Sequence, residues 1–547
     1  MGSEKKSHGL QPTRLNLLQF SSNRMKSFHK ISIWLAVALG MIIFFSFQLG
    51  RYPLLDPDEP RYAASAEEML HTGNWNNIFF NGKVRWDKPP VFYWLIASAV
   101  GILGSEEWVI RLPSVLAALG ILTMLAYMMY QKHGLEASLF SVIILATMVE
   151  FYVVGRLAIT DMTLAFWITA SLFFFYQVIF LDKTYSWIGI YMAMAMAMLT
   201  KGPIGFILPA LVMGGTLLAL RSKIYWKKCH CFLGLGLMML ITIPWFGLQI
   251  HQYGHEYADY FFLKHNVGRF LNKDFGHEAS LGFVPLITLV GGFPWTLFLP
   301  FTVYAVWKNF KIDSNRNLNI FFLMWFLIPV VFFTLAKAKL PTYILPIFVP
   351  LAYFISLGLG LLSKEKALFK NTIGIYVVLL VFCVAGVICL NIYPLAILEN
   401  VHVPLWVSIV PLWSLSLGLA LWIQKRINPV YCIAFTMVYI LCVVVHFGFP
   451  EIAKRKSLGE LMIQNKTVLN QSDTIASFYL NRPSMVFYTK RHIQTIADVD
   501  HLYEYLSQHG QHVCIMKKDI YDSLLPNLGK VSVVIDEKYG RLILKNI

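Results

Sequence analysis

Apolar runs of about twenty residues recur along this chain, separated by short polar segments, and each is long enough to cross a bilayer as a helix. The pattern predicts about thirteen spans, at 31–49, 111–131, 137–154, 162–181, 185–199, 203–220, 230–250, 281–303, 318–335, 341–362, 371–390, 403–424 and 429–448. The apolar stretch 91–103 is too short to span and reads as an interfacial or re-entrant helix. Past residue 450 the pattern changes. Short apolar runs at 474–480, 484–488, 512–516, 531–535 and 542–544 read as strands, with helical periodicity near 457–469 and 499–508. The predicted organisation is an N-terminal segment 1–30, a membrane domain 31–450 whose first outer loop runs over 50–110, and a small α/β domain 451–547.

Composition agrees with a polytopic α-helical membrane protein: 57% of residues are hydrophobic and 14% charged, where a soluble domain has about 25% charged. The formal net charge of +16 does not call for a nucleic-acid partner, because such proteins collect Lys and Arg on cytoplasmic loops. Inner-loop basics form plain clusters: Arg221, Lys223, Lys227 and Lys228; Lys308, Lys311 and Arg316; Lys364, Lys366 and Lys370. That places the N-terminus in the cytoplasm, and an odd span count places the C-terminal domain outside, in the periplasm of a bacterium. No cleavable signal peptide is evident. The cysteines imply no disulfide framework, and Cys229-His230-Cys231 without a second ligand pair reads as packing rather than a metal site.

Against this apolar background the charged residues of the outer loops stand out. The first loop carries Asp56-Pro57-Asp58-Glu59-Pro60-Arg61-Tyr62 and then Arg85, Asp87 and Lys88. Later outer turns carry Arg156 and Asp161, Lys201, His265 with Arg269, His277 with Glu278, and Lys337, Lys339 and Tyr343. Each has an ordinary structural alternative. Asp56 and Asp58 suit Pro-punctuated turns, Asp161 suits a helix N-cap, the lysines suit snorkelling anchors, and the histidines suit a surface. Taken together they suit chemistry. Carboxylates can position or deprotonate an acceptor, and clustered cations can hold a departing phosphate in a low-dielectric site. With no phosphate-cradling Gly-rich loop, a lipid-linked phosphate donor fits better than a nucleotide.

These residues resemble the bacterial GT-C integral-membrane glycosyltransferases, nearest in pattern to the 4-amino-4-deoxy-L-arabinose lipid A transferase (ArnT) group, with protein O-mannosyltransferases as distant relatives. The resemblance rests on the 56–62 motif and Glu68-Met69-Leu70, Asp87-Lys88-Pro89-Pro90, Arg111-Leu112-Pro113-Ser114, Thr160-Asp161-Met162, Thr200-Lys201-Gly202-Pro203, His265-Asn266, Arg269-Phe270, Gly276-His277, Pro294-Trp295 and residues 337–346. It implies catalytic carboxylates at Asp58, Glu59 and Asp161. It implies donor-phosphate contacts from Lys88, Arg269, Tyr343, Lys201, Arg61 and Lys339. A divalent metal (zinc or magnesium) at His265 and Asp87 is an option under the resemblance, not a requirement. The implied donor is an undecaprenyl-phosphate sugar, the implied acceptor lipid A, and the implied location the bacterial inner membrane. The rival readings are transfer of mannose or another sugar to protein or glycan, and a lipid transporter. A transporter would place ionisable groups near span midpoints, whereas here they gather at outer ends, Glu150 being a weak exception.

Overall fold

The computed structural model describes residues 14–271, 279–309, 315–362, 366–391, 404–424 and 428–547. The helix Arg14–Ser46 forms a unit of its own, and residues 48–547 form the second. The chain is a multi-pass helical membrane protein. Seven described helices are long and apolar enough to cross a bilayer, and an eighth crossing results if Phe283–Gly291 and Trp295–Lys308, bent by 106°, are one span. Further apolar helices, shorter than a full crossing, lie at Lys30–Ser46, Val91–Leu103, Ile204–Leu220 and Ile373–Gly386.

Each of the thirteen predicted segments overlaps a described helix, but several are short or bent. The longest, Glu107–Ala146, covers 40 residues and breaks at Gly134, whose φ of 83° is left-handed. A straight helix of that length would reach about 60 Å, twice the hydrocarbon core of about 30 Å. At the break the chain folds back: Ser138 Oγ donates to the Ala126 carbonyl at 2.6 Å, and Arg111 and Ala158 meet on the same Glu59 carboxylate, in keeping with the separate runs 111–131 and 137–154. Pro294 and its two preceding glycines bend the 281–303 segment for the usual reasons, a missing N–H and absent side chains.

The first long loop is a packed structure in its own right. Helix Asp58–Thr72 starts with two acids in its first turn, favourable at the positive end of the macrodipole. Pro60 also sits in that turn, where its missing N–H costs nothing. The helix ends at Gly73 with φ 66°. The hairpin of β1 (Phe79–Phe80) and β2 (Lys83–Val84) follows. The predicted short helix then runs over Val91–Leu103. Tyr62, Ala66, Met69, Phe92, Tyr93 and Ile96 bury against Leu199, Trp245, Phe246, Tyr257 and Phe261 of later helices.

Residues 474–546 build a five-stranded sheet of β3 (Thr474–Phe478), β4 (Ile493–Ile496), β5 (His512–Lys517), β6 (Ser532–Lys538) and β7 (Arg541–Asn546), in the order β4-β3-β5-β7-β6. β3 is parallel to both neighbours, and β7 is antiparallel to both of its own. Four of the predicted strands are here. The fifth, 484–488, is instead the helix Pro483–Thr489: a five-residue apolar run has no period of its own, and Pro at the first turn favours a helix start. β4 was not predicted, because Gln494 and Thr495 at its centre are exposed and break the apolar run.

Helices Ser186–Lys201 and Ile204–Leu220 meet tightly: a Cβ on Gly205 would stand 2.3 Å from the Ala197 carbonyl carbon. Gly205→Ala should therefore lower the unfolding temperature in detergent, at a cost of about 1–3 kcal/mol. Gly214→Ala, facing open space on the same helix, should be neutral or stabilising by up to about 1 kcal/mol.

Candidate functional site

Five separated segments converge on one cavity of about 410 Å³. Its polar lining is Lys88, Lys201, His265, Asn266, Arg269 and Tyr343, and its apolar wall includes Ile204, Ile207, Phe262, Phe270, Phe332 and Phe333.

Each polar side chain is delivered by a local feature. Lys201 is the last residue of its helix, ended by Gly202 at φ 87°, so its ammonium sits where the macrodipole is negative. Its Nζ lies 2.7 Å from Asp161 Oδ1 and 4.4 Å from the centre of the Tyr343 ring. Asp161 lies in the first turn of helix Thr160–Phe180 without making a side-chain cap, so the N-cap alternative does not apply. The chain from Asp259 to Gly268 is a π-helix, a geometry frequent at functional sites. Its wider turn aligns residues five apart. Asn266 Nδ2 donates to the Phe261 carbonyl at 2.7 Å, and Tyr260 and His265, with rings 5.6 Å apart, both meet Asp87. Arg269 follows at once. Its carbonyl and that of Phe270 accept from Ala338 N and Lys337 N at 3.2 and 3.1 Å, and Arg269 Nη1 donates to Tyr343 Oη at 3.4 Å.

Lys88 faces this group from the first loop. Among the described residues no carboxylate lies within ion-pair distance of its ammonium. Burial, with the charges of Lys201 and Arg269, pulls its pKa down to about 7. Burial alone would raise the carboxyl of its neighbour Asp87, but hydrogen bonding with His265, the Arg85 charge and the Tyr260 hydroxyl hold it well below the usual range. Among the described residues, three cations line this cavity, and the carboxylate of Asp161 pairs with one of them, Lys201. Like charges gathered away from water are unfavourable unless an anion joins them, and here they stand beside an apolar wall.

Asp58 is exposed at the first turn of its helix, close enough to Tyr62 and Tyr93 to act on their phenols. Those rings stack on Arg85, whose guanidinium lies 5.1 and 5.9 Å from their centres and pairs with Asp87 at 3.0 Å. A continuous layer therefore runs from Asp58 through Tyr62, Arg85 and Asp87 to Lys88.

Three expected residues lie elsewhere. Glu59 is 1% exposed, and its carboxylate accepts from Arg111 Nε and Nη2 at 2.9 and 2.8 Å, and from the Leu55 and Ala158 amides at 2.8 Å each. Those four donors make it a framework residue, not a reacting one. Arg61 lies over the Phe80 ring at 5.9 Å and does not line the cavity. Lys339 is buried and donates to the Ala279 and Ser280 carbonyls. His277 and Glu278 fall outside the described residues. For a metal, Asp87 and His265 alone are a poor set: the carboxylate already serves Arg85 and Tyr260, cations surround it, and no third donor joins them among the described residues. Tyr260 and Asn266 were missed as site residues. Their signal is spacing, since Tyr260 lies five residues before His265, a period that only a π-helix aligns.

The match to solved structures is extensive. The crystal structure of ArnT from Cupriavidus metallidurans bound to undecaprenyl phosphate superposes with a TM-score of 0.81, covering 94% of this chain and 98% of that one at 21% identity. This chain has the GT-C membrane fold. Residues 87–247 match the family described as dolichyl-phosphate-mannose-protein mannosyltransferase. Among curated proteins, the undecaprenyl phosphate-alpha-4-amino-4-deoxy-L-arabinose arabinosyl transferase 1 of Pseudomonas fluorescens is 32% identical over 330 residues, 58% of this chain and 57% of the relative. The corresponding transferase of Edwardsiella ictaluri is 30% identical over 331 residues, 59% of this chain and 58% of the relative. The aligned part thus spans little more than half the length of these relatives.

Two outcomes test this geometry. Because free Lys88 loses its proton near pH 7 while a bound anion favours the charged form, affinity for an anionic probe such as inorganic phosphate should fall as pH rises above 7, by up to about tenfold per unit. Lys88→Met should flatten that slope in a titration of the purified protein. Arg111→Met should leave Glu59 buried and unpaired and cost about 3–5 kcal/mol, read as a lower unfolding temperature.

Proposed function

We propose that this chain is a glycosyltransferase that moves a sugar, an aminopentose such as 4-amino-4-deoxy-L-arabinose, from undecaprenyl phosphate to lipid A at the periplasmic face of the bacterial inner membrane. The observation that carries it is the convergence of Lys88, Lys201, Arg269 and Tyr343 on one anion-seeking cavity beside an aromatic wall. A polyprenyl phosphate has the matching shape, a charged head on an apolar tail. The transferases of Pseudomonas fluorescens and Edwardsiella ictaluri support the sugar and carrier by name.

In this reading an acceptor oxygen attacks the anomeric carbon of the donor. The bond from that carbon to the phosphate oxygen breaks, and undecaprenyl phosphate leaves with the electron pair. Lys88, Lys201 and Arg269, with the Tyr343 hydroxyl, take up the charge that develops on the departing oxygen. Asp58 receives the proton when the acceptor is a hydroxyl. When the acceptor is already an anionic phosphate there is no proton to take, and Asp58 orients the acceptor or steadies positive character on the ring. Asp161 holds Lys201 in place. His265 and Tyr260 hold Asp87, which with Arg85 fixes the segment carrying Lys88.

Thirteen spans, a cytoplasmic N-terminus and a periplasmic 451–547 domain belong to the same proposal. Helices Ser186–Lys201 and Ile204–Leu220 support it: they form a hairpin whose turn carries Lys201 at the cavity, while the basic segment Lys223–Lys228 lies at the other end of the second arm.

The test is reconstitution with undecaprenyl-phosphate aminopentose and lipid A, with acceptor mass as readout. A gain of one aminopentose is expected, and Asp58→Ala should reduce its rate by about 10²–10⁴-fold while the protein remains folded. No gain with any polyprenyl-phosphate sugar would end the proposal.

A further inference from the structure

Asp56 and Asp58 are two residues apart in one motif, yet they do different things. Asp56 is 7% exposed and is not part of the cavity lining. It accepts from the Ser484 amide at 2.9 Å and from the Ser484 hydroxyl, both in the first turn of helix Pro483–Thr489 of the C-terminal domain. One turn along that helix, Tyr488 accepts from the Leu54 amide at 2.8 Å and donates to Glu107 Oε1 at 3.0 Å. Between these two contacts the Leu55 amide is held by Glu59. Three consecutive residues leading into Asp58 are therefore fixed, two of them by the C-terminal domain.

The grip continues along the first loop. Lys490 pairs with Glu67, midway along the helix that Asp58 begins. Asn81, at the tip of the β1–β2 hairpin, donates to the Ile493 carbonyl and accepts from the Ile493 amide, both at 2.8 Å. Phe487 inserts into the apolar cluster of the first loop. A Cβ on Gly459 would stand 2.5 Å from the Tyr488 ring and 2.7 Å from Pro53, so the domain closes on this segment without slack.

We propose that the C-terminal domain is the clasp that holds Asp58 in its reacting position, with Asp56 and Ser484 as the positioning pair. The inference rests on the role proposed above for Asp58. A group at the end of a helix is aimed by the backbone entering that helix, and a misplacement of about 1 Å can cost about 100-fold in rate. The contacts of Asp56 lie away from the phosphate-seeking cavity, so their loss should act on turnover and leave donor binding intact.

The experiment measures kcat and donor KM with undecaprenyl-phosphate aminopentose and lipid A on full-length protein. Asp56→Ala should lower kcat about 10–100-fold with donor KM within about twofold. Ser484→Ala, which removes one hydroxyl and leaves the amide, should lower it less. Asp56→Asn, which keeps an acceptor for the Ser484 amide, should recover much of the rate. Lys538→Ala, which breaks the pair with Glu460 elsewhere in the domain, should lower unfolding temperature without lowering kcat. The proposal is overturned if Asp56→Ala and Ser484→Ala both keep wild-type kcat, if the loss appears in donor KM, or if Lys538→Ala lowers kcat as much as they do. A wild-type rate in Asp58→Ala would instead sink the functional reading beneath it.

Discussion

The buried ion pair of Arg111 with Glu59 is the constraint from which the first loop and the helices around it are built. Its guanidinium is bidentate on the carboxylate and also donates to the carbonyls of Leu49, Tyr52 and Pro53. The carboxylate in turn accepts from Leu55 and Ala158. One pair therefore joins the segment entering the first loop, the helix carrying Asp58, the long helix from Glu107 and the turn before Asp161. Burying two charges is costly, and here every donor and acceptor is used, which is the condition under which such a pair holds. The Tyr52 ring lies 4.0 Å from the guanidinium and closes the hub from one side.

Around this hub the molecule separates its charges by task. Carboxylates with cationic or amide partners, such as Glu59, Asp56 and Glu67, fasten elements together. Lys88, Lys201 and Arg269 face one cavity, and burial together with the charges of the other two draws the pKa of Lys88 down to about 7. Like charges gathered in one partly buried place are unfavourable by themselves, and an anion among them would relieve that cost. The aromatic wall below those cations supplies the apolar half of the same preference.

The C-terminal domain adds a second fastening to the first loop. It meets the first loop through side chains with few conformational choices: a helix-start serine, a tyrosine hydroxyl with two partners, and a reciprocal asparagine–backbone pair. Such contacts transmit position rather than bulk stability, since each is worth only about 1 kcal/mol but admits little displacement.

The apolar runs, the short loop helix and four of the five C-terminal strands were legible in the order of residues; of the six donor-side residues that the family resemblance implied, Lys88, Lys201, Arg269 and Tyr343 line one cavity and Arg61 and Lys339 do not. Hydropathy over twenty residues and clustered charge beside hydrocarbon are local signals, and the bilayer permits few alternatives. What only the tertiary structure decided was which charges are tools and which are fasteners. Asp56, Asp58 and Glu59 are equivalent as text, yet Asp56 docks a domain, Glu59 anchors the hub and Asp58 remains exposed at the start of its helix. Their fates depend on Ser484 and Arg111, residues hundreds and tens of positions away, and no local pattern encodes a partner at that range. The π-helix that turns Tyr260 and His265 onto Asp87, and the helix that replaced the strand at Pro483–Thr489, were settled in the same way. Short segments lack a decisive period, so long-range packing selects their conformation.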